Sequence, residues 1–391
     1  MTIDSTAPCL GTKPPPLFAA KAKVVQRERR PGLDVITTGT RQLRQFDLAL
    51  RPLPGEDVGG MLGRLAAVLQ EQKATPVFQF VFGSLHALRG GEASLRRMFG
   101  PVTWPVTWVE GAGCDGGLAG TQVIAVSRQG VKPVQWNDRV VGCIYEDGLA
   151  RHCLLGGLGP ESVALSRPEQ AQQALAQMKD LLENNGFAFG DLARTWFYLE
   201  NMLSWYGEFN KVRTAFYSQH RFRIGTNPAS TGVGGSNPGR AALALAAWAM
   251  QPLQNSFQVR EVPSPLQCPA STYGSSFSRA VEFTTPFGPR LLVSGTASIA
   301  PGGKTLWGSN LRRQVDLTMG VVEAILQSRG MEWSDASRVT VYVKRPEFAG
   351  AFADWSAACA RVCLPFILMQ SDICRDELLF EIELDAIKDE G

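Results

Sequence analysis

Two glutamates near the C-terminus, Glu381 and Glu383, sit in the run LLFEIEL (378–384). In an extended strand, successive side chains alternate faces, so these carboxyls share one face while Phe380 and Ile382 take the other. Such a strand either shows its carboxylates to solvent or lines a site. In a site, a buried carboxyl whose pKa is raised towards neutrality is suited to deliver a proton. A second feature is PASTGVGG (228–235), where Gly232, Gly234 and Gly235 allow close backbone approach and the Ser and Thr hydroxyls offer donors. No GK[ST] follows, so it is no phosphate-binding P-loop. The eight cysteines are scattered without a CxxC, and there are three histidines. That scarcity argues against a Cys/His zinc site and against histidine-dependent nucleophilic triads.

The elements that must position these residues are written twice. GFAFGDLARTWFYLE (186–200) aligns without gaps on GMEWSDASRVTVYVK (330–344), matching Gly186/Gly330, Asp191/Asp335, Arg194/Arg338 and Tyr198/Tyr342. Each is preceded by an amphipathic helix (170–186, 314–330) that stops at a glycine, as a left-handed cap prefers. A glycine-interrupted strand precedes each helix (152–159, 290–299), and a second helical pattern follows each copy (206–217, 347–362). The unit is strand, helix, strand, helix, closing strand, an α/β arrangement. Ahead of it, 61–72 has helical spacing, and 76–85 and 121–127 read as strands. Residues 1–45, with three consecutive prolines and a basic stretch, read as a flexible arm.

The 391 residues allow two domains, and 45 % apolar with 19 % charged residues is ordinary for a globular protein. A net charge of +3 without a basic stripe gives no support for nucleic-acid binding. No apolar run is long enough to span a membrane and no signal pattern opens the chain, so a cytoplasmic protein with reduced thiols is expected.

The second copy resembles the RidA/YjgF family through SGTASIAPGG, DASRVTVYVKRPEFAGAF and LLFEIELDAI. That resemblance implies an α/β fold of two RidA/YjgF-like (chorismate-mutase-like) units in tandem, mixed sheets with helices packed on one face. The expected division is an arm at 1–45, a unit at 46–260 with extra N-terminal strands and helix, and a unit at 261–391. The family's PARS-like arginine is missing from both NPASTGVG (227–234) and CLPFILMQ (363–370), so imine deamination is not implied. Most of 140–387 more closely resembles the chorismatase family. The matching blocks are RTWFYL (194–199), Tyr206-x-x-Phe-Asn-x-x-Arg213, PASTGVGG, PLQCPASTYGSSFSRA (265–280) and CRDELLFEIE (374–383).

The resemblance implies a cofactor-independent enzyme that takes chorismate as its small-molecule substrate. It implies Glu381 as the general acid that protonates the enol methylene of the enolpyruvyl ether. Arg213 and Arg279 would hold the substrate's carboxylates, unless each serves a structural ion pair. Tyr206 and Tyr273 would hydrogen-bond the ring hydroxyl or a carboxylate, or serve as core aromatics. Thr231 and Arg194 fall in matched blocks, although Arg194 recurs in both copies as Arg338 and so reads as structural. Cys374 and Gly235 resemble the subtype that forms 3-hydroxybenzoate with pyruvate. The alternatives are the hydrolytic subtype, which forms pyruvate and a trans-diol, and a RidA-like binder or enzyme for another small carboxylate. FYLENMLSWY (197–206) is shorter and more apolar than the family leads one to expect, and Val212 stands where glycine is common. Monomer, dimer and trimer are all compatible with the sequence.

Overall fold

The computed structural model describes residues 24–39, 43–127, 130–359 and 363–388. They form three six-stranded sheets in succession along the chain. The first holds β1 (Val24–Arg30), β2 (Leu33–Gly39), β3 (Arg44–Leu50), β4 (Thr75–Gly83), β5 (Val106–Glu110) and β6 (Leu118–Val126), with helices α1 (Val58–Gln72) and α2 (Gly91–Phe99). The second holds β7 (Lys132–Trp136), β8 (Arg139–Glu146), β9 (Ala150–Leu158), β10 (Leu192–Leu199), β11 (Ala229–Gly234) and β12 (Leu243–Pro252), with α3 (Arg167–Asn184) and α4 (Tyr206–Tyr217). The third holds β13 (Val259–Val262), β14 (Ala280–Thr285), β15 (Gly288–Ala297), β16 (Ala336–Val343), β17 (Phe366–Gln370) and β18 (Phe380–Ile387), with α5 (Leu311–Ser328) and α6 (Ala349–Cys359).

All three sheets share one strand order, first-second-third-sixth-fourth-fifth, with only the fourth and fifth strands parallel. A helix links the parallel strands in each case, as a parallel pair requires. Mixed-sheet units of the expected kind span 132–252 and 259–387, and a third of the same topology precedes them, so the single unit expected over 46–260 is divided between two sheets. Residues 24–39, read from the sequence as arm, are strands that bury Leu33, Val35 and Ile36; residues 1–23 lie outside the described residues.

The first unit lacks the sequence marks that the second and third share. In the second and third units, the helix ends at a left-handed glycine (Gly186, φ 79°; Gly330, φ 63°), and a 3-10 turn holds Asp191 or Asp335. In the first unit α1 is closed by Lys73 (φ 50°), and β4 starts two residues later. The first residue after the register shift in the fourth strand is Arg194 in β10 and Arg338 in β16, but Phe78 in β4.

The units close a ring. β5 packs on β9 and β12, β11 on β15, and β17 on β3 and β6, so each unit's fifth strand meets the third strand of the next. The rings of Phe78 (tilted) and Phe80 (edge-on) lie 5.6 and 5.5 Å from that of Trp196, and Gln122 Nε2 donates to the Val339 carbonyl at 2.7 Å. Where the sheets converge, buried ions from all three units pair: Arg290 with Asp47 (2.7 Å), Arg194 with Glu383 (2.6 Å), and Arg338 with Glu383 (2.7 Å) and Asp385 (2.8 Å). Removing one member of such a buried set costs about 3–5 kcal/mol, because it strands a charge. No helix among the described residues is long and apolar enough to cross a membrane.

Candidate active site

One cleft, between the second and third units, holds a cavity of about 210 Å³. α4 presents Tyr206, Asn210 and Arg213 on one face by their i, i+4, i+7 spacing. β11 adds Ser230 and Gly232, and β15 adds Gly295 and Ala297. Cys374 and Arg375 come from the loop after β17, and Tyr273, Phe277 and Arg279 from the segment before β14. Glu381 projects from β18 beside Gly295, where a Cβ would collide with its carboxyl oxygen. Glycine at 295 is thus what lets the acid lie against the strand.

Glu381 is 4 % exposed and makes no ion pair among the described residues. Burial, reinforced by the negative charge of Glu383 and only partly opposed by Arg194, raises its pKa to about 8. It is a protonated acid at neutral pH. Glu383 behaves oppositely. Burial pushes its carboxyl up as well, but the guanidiniums of Arg338 and Arg194 and the Thr231 hydroxyl outweigh that and hold it at about 2. Burial pushes the Cys374 thiol up to about 12, so it stays neutral. Burial also raises the phenols of Tyr206 and Tyr273, which leaves them as neutral hydrogen-bonding groups.

The cations of the cleft have no acid to answer them among the described residues. Buried Arg213 donates through Nη2 to Asn210 Oδ1 (2.7 Å) and lies over the rings of Phe197 and Phe209 at 5.7 and 5.3 Å. Arg279 donates through Nε and Nη2 to the Cys268 carbonyl (3.0 and 2.9 Å). Arg375 donates to Thr305 Oγ1 (3.2 Å), and Tyr273 has the guanidiniums of Arg279 and Arg375 at 5.5 and 5.8 Å from its ring centre. Three unpaired guanidiniums around a neutral acid and a neutral thiol suit a ligand with more than one carboxylate.

Of the residues singled out from the sequence, Glu381, Cys374, Arg213, Tyr206, Tyr273 and Arg279 surround this cavity. Three do not. Gly235 packs against Val109 of the first unit and Tyr198 of its own, and its N–H donates to the Leu199 carbonyl at 3.0 Å. Arg194 is fully buried against Glu383. Thr231, one residue out of step with Ser230 and Gly232, turns to the far side of β11; it donates to Glu383 and accepts from Gly295 N (3.0 Å). Arg375, Asn210 and Gly295 were not foreseen. Arg375 adjoins Cys374 in a quoted block and Asn210 lies one turn before Arg213, so both were within reach; Gly295 was visible only as a glycine interrupting a strand.

The other two inter-unit clefts carry different residues at the equivalent register positions. Where β18 carries Glu381 opposite Tyr342, β12 carries Ala244 opposite Tyr198 and β6 carries Gly120 opposite Phe82. Where β11 carries Gly232 opposite Phe197, β5 carries Trp108 opposite Val81 and β17 carries Leu368 opposite Val341. The Trp108 ring lies so close to Gly91 of α2 that a Cβ there would overlap it, which leaves no room in that cleft. Among the described residues, the acid and the glycine at these register positions meet in the cleft between the second and third units.

No protein-family profile matches the chain. It is 25 % identical over 242 residues to a 3-hydroxybenzoate synthase of Streptomyces hygroscopicus, covering 55 % of this chain and 68 % of that protein. It is 28 % identical over 214 residues to a chorismatase of the same organism, covering 49 % of this chain and 60 % of that protein. A crystal structure of a chorismatase superposes with a TM-score of 0.60 at 20 % identity, over 80 % of this chain and 93 % of that one. The chain is thus similar to the chorismatase family in sequence and shares its fold.

Proposed function

We propose that this protein is a chorismatase, cleaving the enolpyruvyl ether of chorismate with Glu381 as the acid. The observation that carries the reading is the pairing of a buried, protonated Glu381 with three guanidiniums that lack acidic partners. Chorismate brings two carboxylates for Arg213, Arg279 and Arg375, and an enol methylene for the proton. Proton transfer from Glu381 to that methylene makes an oxocarbenium ion and leaves a carboxylate on β18. That carboxylate stabilises the cation and then accepts a proton as the intermediate resolves. Burial of Glu381 makes the exchange effective, since a charge created on a buried carboxyl is felt strongly by its neighbours.

For the outcome we favour pyruvate with 3-hydroxybenzoate, in which the ring's own hydroxyl intercepts the intermediate and the ring aromatises. Two things support it: the neutral Cys374 thiol on the cavity wall, and the similarity to a protein named 3-hydroxybenzoate synthase. Gly235 lies away from the cavity and adds nothing to this choice. Hydrolysis, in which water intercepts the intermediate to give pyruvate and a trans-diol, is the alternative. Incubation of the purified protein with chorismate, with pyruvate followed and ring products separated by mass, tests the reading and its subtype together.

A further inference from the structure

Glu383 has no place in the scheme above, yet it is the most heavily engaged side chain beside the site. We propose, resting on the reading of Glu381 as the acid, that Glu383 is a positioning residue: an ion-paired carboxylate two residues along β18 that keeps Glu381 in its acid form until substrate arrives. Glu383 is fully buried and saturated with donors from three other strands. One oxygen accepts from Arg338 Nη1 (2.7 Å) and Thr340 Oγ1 (3.0 Å); the other accepts from Arg194 Nη2 (2.6 Å) and the Thr231 hydroxyl. Trp196 Nε1 lies 3.0 and 3.1 Å from the two oxygens. With both oxygens occupied by donors, Glu383 can neither take the proton of Glu381 nor turn towards the cavity. Strand geometry puts the two residues about 7 Å apart on one face, close enough for a fixed negative charge to disfavour a second.

The same cluster also sets where Glu381 lies. Thr231 links Glu383 to the backbone N–H of Gly295, the residue against which the Glu381 carboxyl rests. The other groups around Glu381 act in the opposite sense or not at all. Arg194 from β10 favours its ionised form. Arg213 from α4, Arg279 before β14 and Arg375 after β17 are cations facing the same cavity. Tyr206, Tyr273 and Cys374 are held neutral by burial. A bound dicarboxylate offsets two of the three cavity cations, and Glu383 remains the fixed negative charge of the protein that biases Glu381 when the proton is needed.

The test is the pH dependence of kcat/KM in full-length protein with chorismate. Activity falls as pH rises through the pKa of Glu381. Glu383→Gln removes the negative neighbour, and the fall then begins about one pH unit lower, a tenfold loss above that limb. Arg194→Gln leaves Glu383 less neutralised and moves the limb the other way, to higher pH. Thr231→Val keeps the charge and leaves the limb in place while lowering thermal stability. A folded Glu383→Gln protein with the wild-type limb overturns the proposal, as does an Arg194→Gln limb that stays or moves down if Glu383→Gln fails to fold. The infrared carboxyl band that disappears in Glu381→Gln reports the titration of Glu381 without turnover. Full activity in Glu381→Gln would sink the acid assignment, whereas an unshifted band in Glu383→Gln would sink the positioning role alone.

Discussion

Glu381 and Glu383 share one face of β18 and hold opposite protonation states at neutral pH. Glu383 is gripped by Arg194 and Arg338, while Glu381 rests against Gly295 without an ion pair among the described residues. Two identical side chains, two residues apart on the same strand, are separated by what the neighbouring strands offer each of them.

That difference has a cost in stability with a definite sign. The pKa of Glu381 is about 8 when folded against 4.5 ordinarily, so unfolding releases its proton between those values and stability falls as pH rises through them. Glu383 runs the other way, stabilising above 4.5 and losing that contribution as pH falls towards about 2. Glu381→Gln, neutral at every pH, is expected to be inactive yet more stable than the parent at pH 9, by an amount on the order of a few kcal/mol. Thermal melts of both proteins at pH 5 and pH 9 check this. The gap should widen with pH; a constant gap contradicts the buried-acid assignment.

Gly295→Ala places a methyl where the Glu381 carboxyl now lies. Turnover should drop at least about a hundredfold, since a misplacement of about 1 Å is enough for that. Chorismate affinity, set by arginines on other elements, should change little. Single-turnover rates with separate binding measurements distinguish the two.

Gly232→Leu reproduces at β11 the residue that β17 carries at its equivalent position, Leu368. It should fill the space beneath α4 and abolish binding while the fold is retained, because a Cβ at 232 meets only Tyr206, at 3.7 Å from Cε2 and 3.8 Å from the hydroxyl. Calorimetric titration with chorismate and a thermal melt decide the matter.

Cys374→Ala and Gly235→Ala are expected to part company. Cys374 lines the cavity, so its loss should alter the ratio of 3-hydroxybenzoate to diol. A Cβ at 235 would lie 2.9 Å from Val109 Cγ1, so Gly235→Ala should lower stability and leave the ratio alone. Product analysis by mass spectrometry after complete conversion reads both.

Much of the cleft was legible in the residues themselves. The alternation of LLFEIEL placed both glutamates on one face, 206–217 read as a helix, and the family resemblance singled out Tyr206 and Arg213 within it. What periodicity could not show was that the shared face of β18 meets other strands rather than water, since that depends on the ring. The ring went unseen because the first unit lacks the marks of the repeat. Lys73 replaces the capping glycine, and Phe78 replaces the arginine that pairs with an acid in the other two units. Thr231 and Gly235 fall outside the cavity lining for a simpler reason. A glycine-rich segment reads as a loop embracing a ligand, but here 229–234 is a strand, so alternate residues turn away from the cavity.

Pyruvate release from chorismate by wild-type protein and by Glu381→Gln tests the central claim most directly. The account predicts stoichiometric pyruvate with 3-hydroxybenzoate from the wild type, and at least about a thousandfold slower release from the variant. Release undiminished in folded Glu381→Gln, or no pyruvate from the folded wild type, would contradict it.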